Sequence, residues 1–91
     1  MFVLVCYDVP DDERRTRIFK RMKGFGVPVQ KSVFECLLDE GQFARMEETL
    51  RKLAKTSEDL IRCYRLCESC RPKTVVIGEG KVLDNEAGIV V

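Results

Sequence analysis

Residues Phe2–Arg17 read FVLVCYDVPDDERRTR, and this stretch decides the fold. Phe2 to Tyr7 is a strand with apolar residues on both faces: Phe2, Leu4 and Cys6 point one way, Val3, Val5 and Tyr7 the other. Such a strand belongs in the middle of a sheet, covered on each side. Pro10 stops it. Asp11 or Asp12 then caps a helix whose first turn is acidic and whose later turns are basic, the order the helix macrodipole favours. Ile18, Phe19 and Met22 recur at three and four and form one inward stripe. The helix runs to about Lys23, and Gly24 and Gly26 end it.

Beyond the glycines, Val27 to Leu38 is β-branched and apolar, long enough for one bent strand or a tight pair of strands. Asp39 followed three residues later by Gln42 reads as a capping box. Phe43, Met46, Leu50 and Leu53 then make a helical stripe to about Lys55. Leu60 to Leu66 is a strand, a cysteine-bearing loop follows to Pro72, and Thr74 to Ile77 reads as a short strand ended by Gly78. Strand, helix, strands, helix, strand is the order of a ferredoxin-like α+β sandwich, βαββαβ, with both helices on one face of an antiparallel sheet. The other face is left open. Because the first strand is apolar on both sides, that open face calls for a second copy of the chain to cover it, a homodimer. Residues 1–78 form the domain in this reading. Residues 79–91, ending in Ile89, Val90 and Val91, form a tail that either adds a strand to the partner's sheet edge or stays partly disordered.

With 91 residues and 45% hydrophobic content, the chain suits one compact domain. A core of this size supplies only roughly 3 to 5 kcal/mol, so oligomerisation is a natural supplement. Phe2 to Cys6 is too short to span a bilayer and lacks the flanks of a signal peptide, which predicts a cytoplasmic protein with no membrane partner. Net charge is +1, from 16 basic and 15 acidic residues, and does not announce a polyanion partner. The distribution says more: from Arg14 to Lys31 there are seven basic residues and no acidic one, while Asp8, Asp11, Asp12 and Glu13 stand just before. An acidic site thus borders a basic stripe, which is either a solvated helix face or a nucleic-acid contact.

Five cysteines without a signal peptide read as reduced thiols, with Cys6 and Cys36 in the core. Cys63, Cys67 and Cys70 form C-x3-C-x2-C, three thiolates where structural zinc takes four ligands, and the chain has no histidine. A redox role for Cys67 and Cys70 is not favoured either, because nothing beside them resembles the strand-to-helix setting that lowers a thiol pKa.

Asp8 sits where the first strand gives way to the helix. Its carboxylate is the hard ligand Mg²⁺ takes, commonly one or two carboxylates completed by water and substrate phosphate. One aspartate alone makes a weak site. Two copies packed sheet to sheet around a two-fold axis near this strand end would bring two Asp8 side chains to a shared ion that also binds a scissile phosphate. The alternative is that Asp8 only caps the helix or the turn.

YDVPDD at Tyr7–Asp12, Arg15 and Arg17 after it, and VQKSVFEC at Val29–Cys36 together resemble the CRISPR-associated protein two family, and Asp59–Gly78 continues the resemblance over essentially the whole chain. The resemblance implies a homodimer of ferredoxin-like subunits that swap C-terminal strands, bind the CRISPR integrase and act in acquiring new spacers. It further implies a Mg²⁺-dependent endonuclease of single-stranded RNA or double-stranded DNA. On that basis Asp8 is the metal-binding and catalytic aspartate. Tyr7 is its neighbour at a nucleic-acid interface, Arg15 and Arg17 contact phosphate, and Phe34 is the aromatic of the Ser32-Val33-Phe34 motif. Ser32 is a hydrogen-bonding support or simply a strand residue, and Phe34 is a core residue before it is a base-stacking platform. Some relatives have a basic residue where this chain has Pro28, so that phosphate contact does not carry over; either Lys31 substitutes for it at the interface, from the opposite face of the strand, or nothing does. Three functions follow: the endonuclease, a non-catalytic DNA-binding scaffold that bridges integrase dimers, and a toxin-like mRNA-cleaving nuclease of the same fold.

Overall fold

The computed structural model describes residues 1–78. Its elements run β1 (Phe2–Asp8), α1 (Asp12–Met22), β2 (Val27–Gln30), β3 (Val33–Leu37), α2 (Glu40–Leu53) and β4 (Leu60–Leu66), followed by a 3₁₀ turn at Arg71–Lys73. The four strands form one antiparallel sheet in the order β2-β3-β1-β4. This is the expected α+β, ferredoxin-like βαββαβ sandwich.

β1 is central, as its two apolar faces require. Val3, Val5 and Tyr7 are buried beneath the helices with Ile18, Met22, Phe34, Cys36, Met46 and Leu50. On the opposite face Leu4 and Cys6 are only half buried. Their neighbours on β4 share that face, because directly opposed residues of an antiparallel pair point the same way: Leu4 faces Tyr64 and Asp8 faces Leu60. Leu60, Tyr64 and Leu66 are all exposed, so the open face carries an apolar patch, interrupted by Arg62, which lies between Leu60 and Tyr64 and donates to the Tyr64 hydroxyl.

Both helix starts are built as their sequences predict. The Asp11 carboxylate accepts the Arg14 amide at 2.9 Å, which makes Asp11 the cap of α1. At α2 the capping box is reciprocal: Asp39 accepts the Gln42 amide at 2.7 Å while the Gln42 side chain accepts the Asp39 amide at 2.8 Å. α2 ends at Leu53, a little before the expected Lys55. Val27–Leu38 resolves into two strands turned at Lys31 and Ser32, with a register shift between Pro28 and Gln30. Pro28 is accommodated because β2 is an edge strand, where a missing amide hydrogen costs no ladder bond.

Gly26 is required by crowding. A Cβ there would lie 2.4 Å from both Cys36 Sγ and the Glu35 carbonyl oxygen, and that carbonyl belongs to β3 and cannot swing aside. Gly26→Ala is therefore expected to destabilise the fold by about 2 to 3 kcal/mol, read as a lower urea midpoint at unchanged slope. A midpoint equal to wild type would mean that the α1–β2 connection shifts freely.

One expected strand is corrected. Thr74–Ile77 forms no strand: it pairs with nothing among the described residues, and Val75 and Ile77 are 79% and 95% exposed. Apolar β-branched residues favour extended backbone, but a strand also needs a ladder partner. The expected tail at 79–91, and with it the domain division there, lies outside the described residues. Among the described residues no helix is long and apolar enough to cross a membrane.

Candidate active site

Asp8 is the last residue of β1 and is exposed. It continues the row Leu4, Cys6, Asp8 on the open face of the sheet, so its carboxylate sits at the end of the apolar patch rather than under the helices. Three connections fix this strand end. The Tyr7 amide donates to the Ser32 carbonyl at 3.0 Å. The Tyr7 hydroxyl donates to the Lys31 carbonyl, also at 3.0 Å. From the other side, the Arg15 guanidinium donates to the Val9 carbonyl at 2.9 Å and pairs with Asp12.

The structure therefore gathers Tyr7, Asp8, Arg15, Lys31 and Ser32 at one end of β1, although they are scattered over the sequence. Their presentation differs. Tyr7 is buried, and its phenol pKa is pushed up by loss of solvent, which the nearby Arg15 charge partly offsets. Its hydroxyl serves the β2–β3 turn. Lys31 is exposed on that turn, and Ser32 contributes its backbone carbonyl. Phe34 lies fully in the core, 6.3 Å from the Tyr7 ring and 5.3 Å edge-on from Phe19. Arg17 projects into solvent from α1, with Glu13 at 3.9 Å.

The basic stripe is partly neutralised within the chain, a point its spacing concealed. Arg14, counted in that stripe, instead makes a two-pronged bond to Asp59, at 2.6 and 2.9 Å, tying the start of α1 to the entry of β4. The Asp59 side chain is closed off from solvent, and the same carboxylate accepts the Lys55 amide at 2.8 Å. The Arg14 hydrogen bond first, and the Lys55 amide with it, holds the Asp59 carboxyl below its ordinary pKa. A lowered folded-state pKa contributes stability at pH above the unfolded value of about 4, and that stability is lost as pH falls through the folded value. Acid unfolding of wild type should therefore steepen below about pH 4, and Asp59→Asn should be less stable at pH 7 with a flatter acid limb. Parallel wild-type and variant stability curves from pH 7 to 2 would contradict this assignment.

As a place for Mg²⁺, Asp8 is right in kind and short in number. It offers a hard oxygen ligand, but among the described residues no three His, Cys, Asp or Glu side chains lie together to hold a metal. At this strand end Asp11 is engaged as the cap of α1 and Asp12 with Arg15, so Asp8 is the carboxylate left for an ion. The donor set fits Mg²⁺ only when a second copy and substrate phosphate add to it.

Known proteins resemble the chain across the region that builds this site. Residues 1–74 match the family model described as CRISPR associated protein Cas2. A Chloroflexus aurantiacus protein named CRISPR-associated endoribonuclease Cas2 3 is 46% identical over 80 residues, covering 88% of this chain and 86% of its own length. The crystal structure of Streptococcus pyogenes Cas2 superposes with a TM-score of 0.76 at 30% identity, covering 86% of this chain and 100% of that one. A chain of a structure titled partial Cas6-RT-Cas1–Cas2 complex superposes with a TM-score of 0.72 at 28% identity, covering 84% and 89%. Matched from the first strand through the cysteine turn, with the same fold, this chain belongs to the CRISPR-associated Cas2 family.

Proposed function

We propose that this chain is a Mg²⁺-dependent endonuclease of the CRISPR adaptation machinery, acting on single-stranded RNA or duplex DNA as a homodimer and partnering the CRISPR integrase. The observation that carries the catalytic part is the position of Asp8: an exposed carboxylate at the end of the central strand, on the face that a second copy would cover. The apolar residues Leu4, Leu60, Tyr64 and Leu66 on that face support the pairing, since burying them removes an otherwise unfavourable surface from water. Partnership with the integrase draws on the likeness to a chain from a complex whose title contains Cas1 and Cas2. The nuclease activity draws on relatives named as endoribonucleases.

In this reading the Asp8 carboxylates of the two copies would hold Mg²⁺, which when bound would supply Lewis-acid polarisation of the scissile phosphate. Lys31 lies exposed beside the same strand end and neutralises substrate phosphate, while Arg17 extends that contact along α1. Arg15 serves mainly to fix the loop after Asp8, since its guanidinium is engaged with Val9 and Asp12. Tyr7 and Ser32 position rather than contact the strand.

A second reading has an observation of its own. One carboxylate per chain is meagre for hydrolysis, which suits a scaffold that holds DNA and integrase without cutting. Purified protein incubated with single-stranded RNA and with duplex DNA, in Mg²⁺ and in EDTA, separates the two. Cleavage in Mg²⁺ alone supports the nuclease. Intact substrates in both, with nucleic acid still bound, leave the scaffold.

A further inference from the structure

At the end of β4 the chain turns sharply through Cys67, Glu68, Ser69 and Cys70. The Cys70 amide donates to the Cys67 carbonyl at 3.0 Å, closing the turn, and the two sulfurs stand 3.0 Å apart. The Ser69 hydroxyl lies 3.1 Å from Cys67 Sγ. Both cysteines are exposed. Cys63, the third member of the C-x3-C-x2-C spacing, has separated from them: it lines the groove between α2 and β4 with Phe43 and Leu50. A zinc site built from all three thiols is therefore not assembled among the described residues. What remains is an accessible pair of thiols already in contact, in a turn whose backbone hydrogen bond sets their approach.

We propose that Cys67 and Cys70 are a dithiol–disulfide couple, a modification site oxidised by low-molecular-weight disulfides, which covalently closes the turn joining β4 to Thr74–Ile77. Cys67 is the attacking thiol. Hydrogen bonds from Ser69 and Cys70 stabilise its thiolate and bring its pKa down to about 7, whereas the Cys70 thiol, which gives its hydrogen bond to Cys67, is pushed up and keeps its proton. The Cys67 thiolate attacks one sulfur of the small disulfide, breaking its S–S bond and expelling one thiolate. That thiolate takes up the Cys70 proton. Cys70 then attacks Cys67 Sγ, breaking the mixed disulfide and releasing the second small thiolate, which is protonated by the proton Cys67 had given to solvent. The protein loses two electrons and two protons, and the small disulfide gains them as two thiols. The closed turn restricts how the exposed residues Val75, Val76 and Ile77 leave the sheet edge.

The test uses the full chain in anaerobic buffers of oxidised and reduced glutathione, followed by alkylation and peptide mass spectrometry. Wild type is expected to form an intrachain Cys67–Cys70 disulfide with no accumulating adduct, while Cys70→Ser traps glutathione on Cys67. In reduced wild type at neutral pH, Cys67 should react with iodoacetamide roughly three- to sixfold faster than an unperturbed thiol, its higher thiolate fraction outweighing its lower nucleophilicity. Three results would overturn the proposal. They are equal adduct on Cys67 in wild type and Cys70→Ser, a disulfide linking two chains, and zinc that co-purifies with wild type and is lost in Cys70→Ser.

Discussion

Asp8→Asn is expected to lower Mg²⁺-dependent cleavage by on the order of 100-fold or more while leaving the fold and the dimer unchanged. The expectation joins two observations. Asp8 is exposed and none of the side-chain hydrogen bonds or ion pairs that brace this strand end uses its carboxylate, so an isosteric amide costs the fold little. In the proposed dimer the same substitution removes the negative charge from both copies at once, since a two-fold axis repeats every change. A hard divalent cation held by carboxylate charge loses most of its electrostatic attraction when both become neutral amides. Raising the Mg²⁺ concentration should restore part of the activity, because the amide oxygen remains a weak ligand. Size-exclusion elution and the urea midpoint should match wild type. Full cleavage by the variant would remove Asp8 from the site and, with it, the reason to read this strand end as catalytic. A folded, dimeric and inactive variant that still binds nucleic acid would leave binding and hydrolysis separable in this protein.

The elements were legible where one local rule governs them. Phe2–Tyr7 could be placed at the centre of the sheet because both its faces are apolar, and Asp39 with Gln42 announced α2 because a capping box is entirely local. The place of Asp8 at the end of β1 was legible for the same reason, since a strand end before a capped helix needs only its neighbours to be noticed; its role there is proposed. Most of what the sequence hid depends on partners distant along the chain. Nothing near Arg14 indicates that Asp59, 45 positions away, takes it out of the basic stripe. Thr74–Ile77 has the residues of a strand, but pairing is a property of two segments, and no second segment among the described residues meets it. The contact between Cys67 and Cys70 turns on one backbone hydrogen bond in a turn, and cysteine spacing alone does not report it.

Phe34→Ala is expected to unfold much of the protein, because the substitution costs roughly 3 to 5 kcal/mol at a buried aromatic and a domain of this size holds about that much in reserve. Phe34 is 0% exposed and fills the space where β1, β3 and α1 meet: it opposes Val5 across the sheet, lies beside the Tyr7 ring and takes Phe19 edge-on. Removing the ring would leave a cavity under the strand that carries Asp8 and would loosen Tyr7, which fastens that strand to the Lys31 turn. Phe34→Leu keeps most of the volume and should cost about 1 to 1.5 kcal/mol, leaving a folded chain. Because the proposed dimer would gain stability with concentration, both variants must be compared with wild type at equal protein concentration by urea denaturation. If Phe34 served instead to stack a base, the pattern would invert. Alanine would then leave the urea midpoint in place and weaken binding to single-stranded RNA, and leucine would be as harmful to binding as alanine. With the ring enclosed on every side by its own core, the stability loss is the expected outcome, and any loss of the proposed cleavage by Phe34→Ala would follow from the displacement of Asp8.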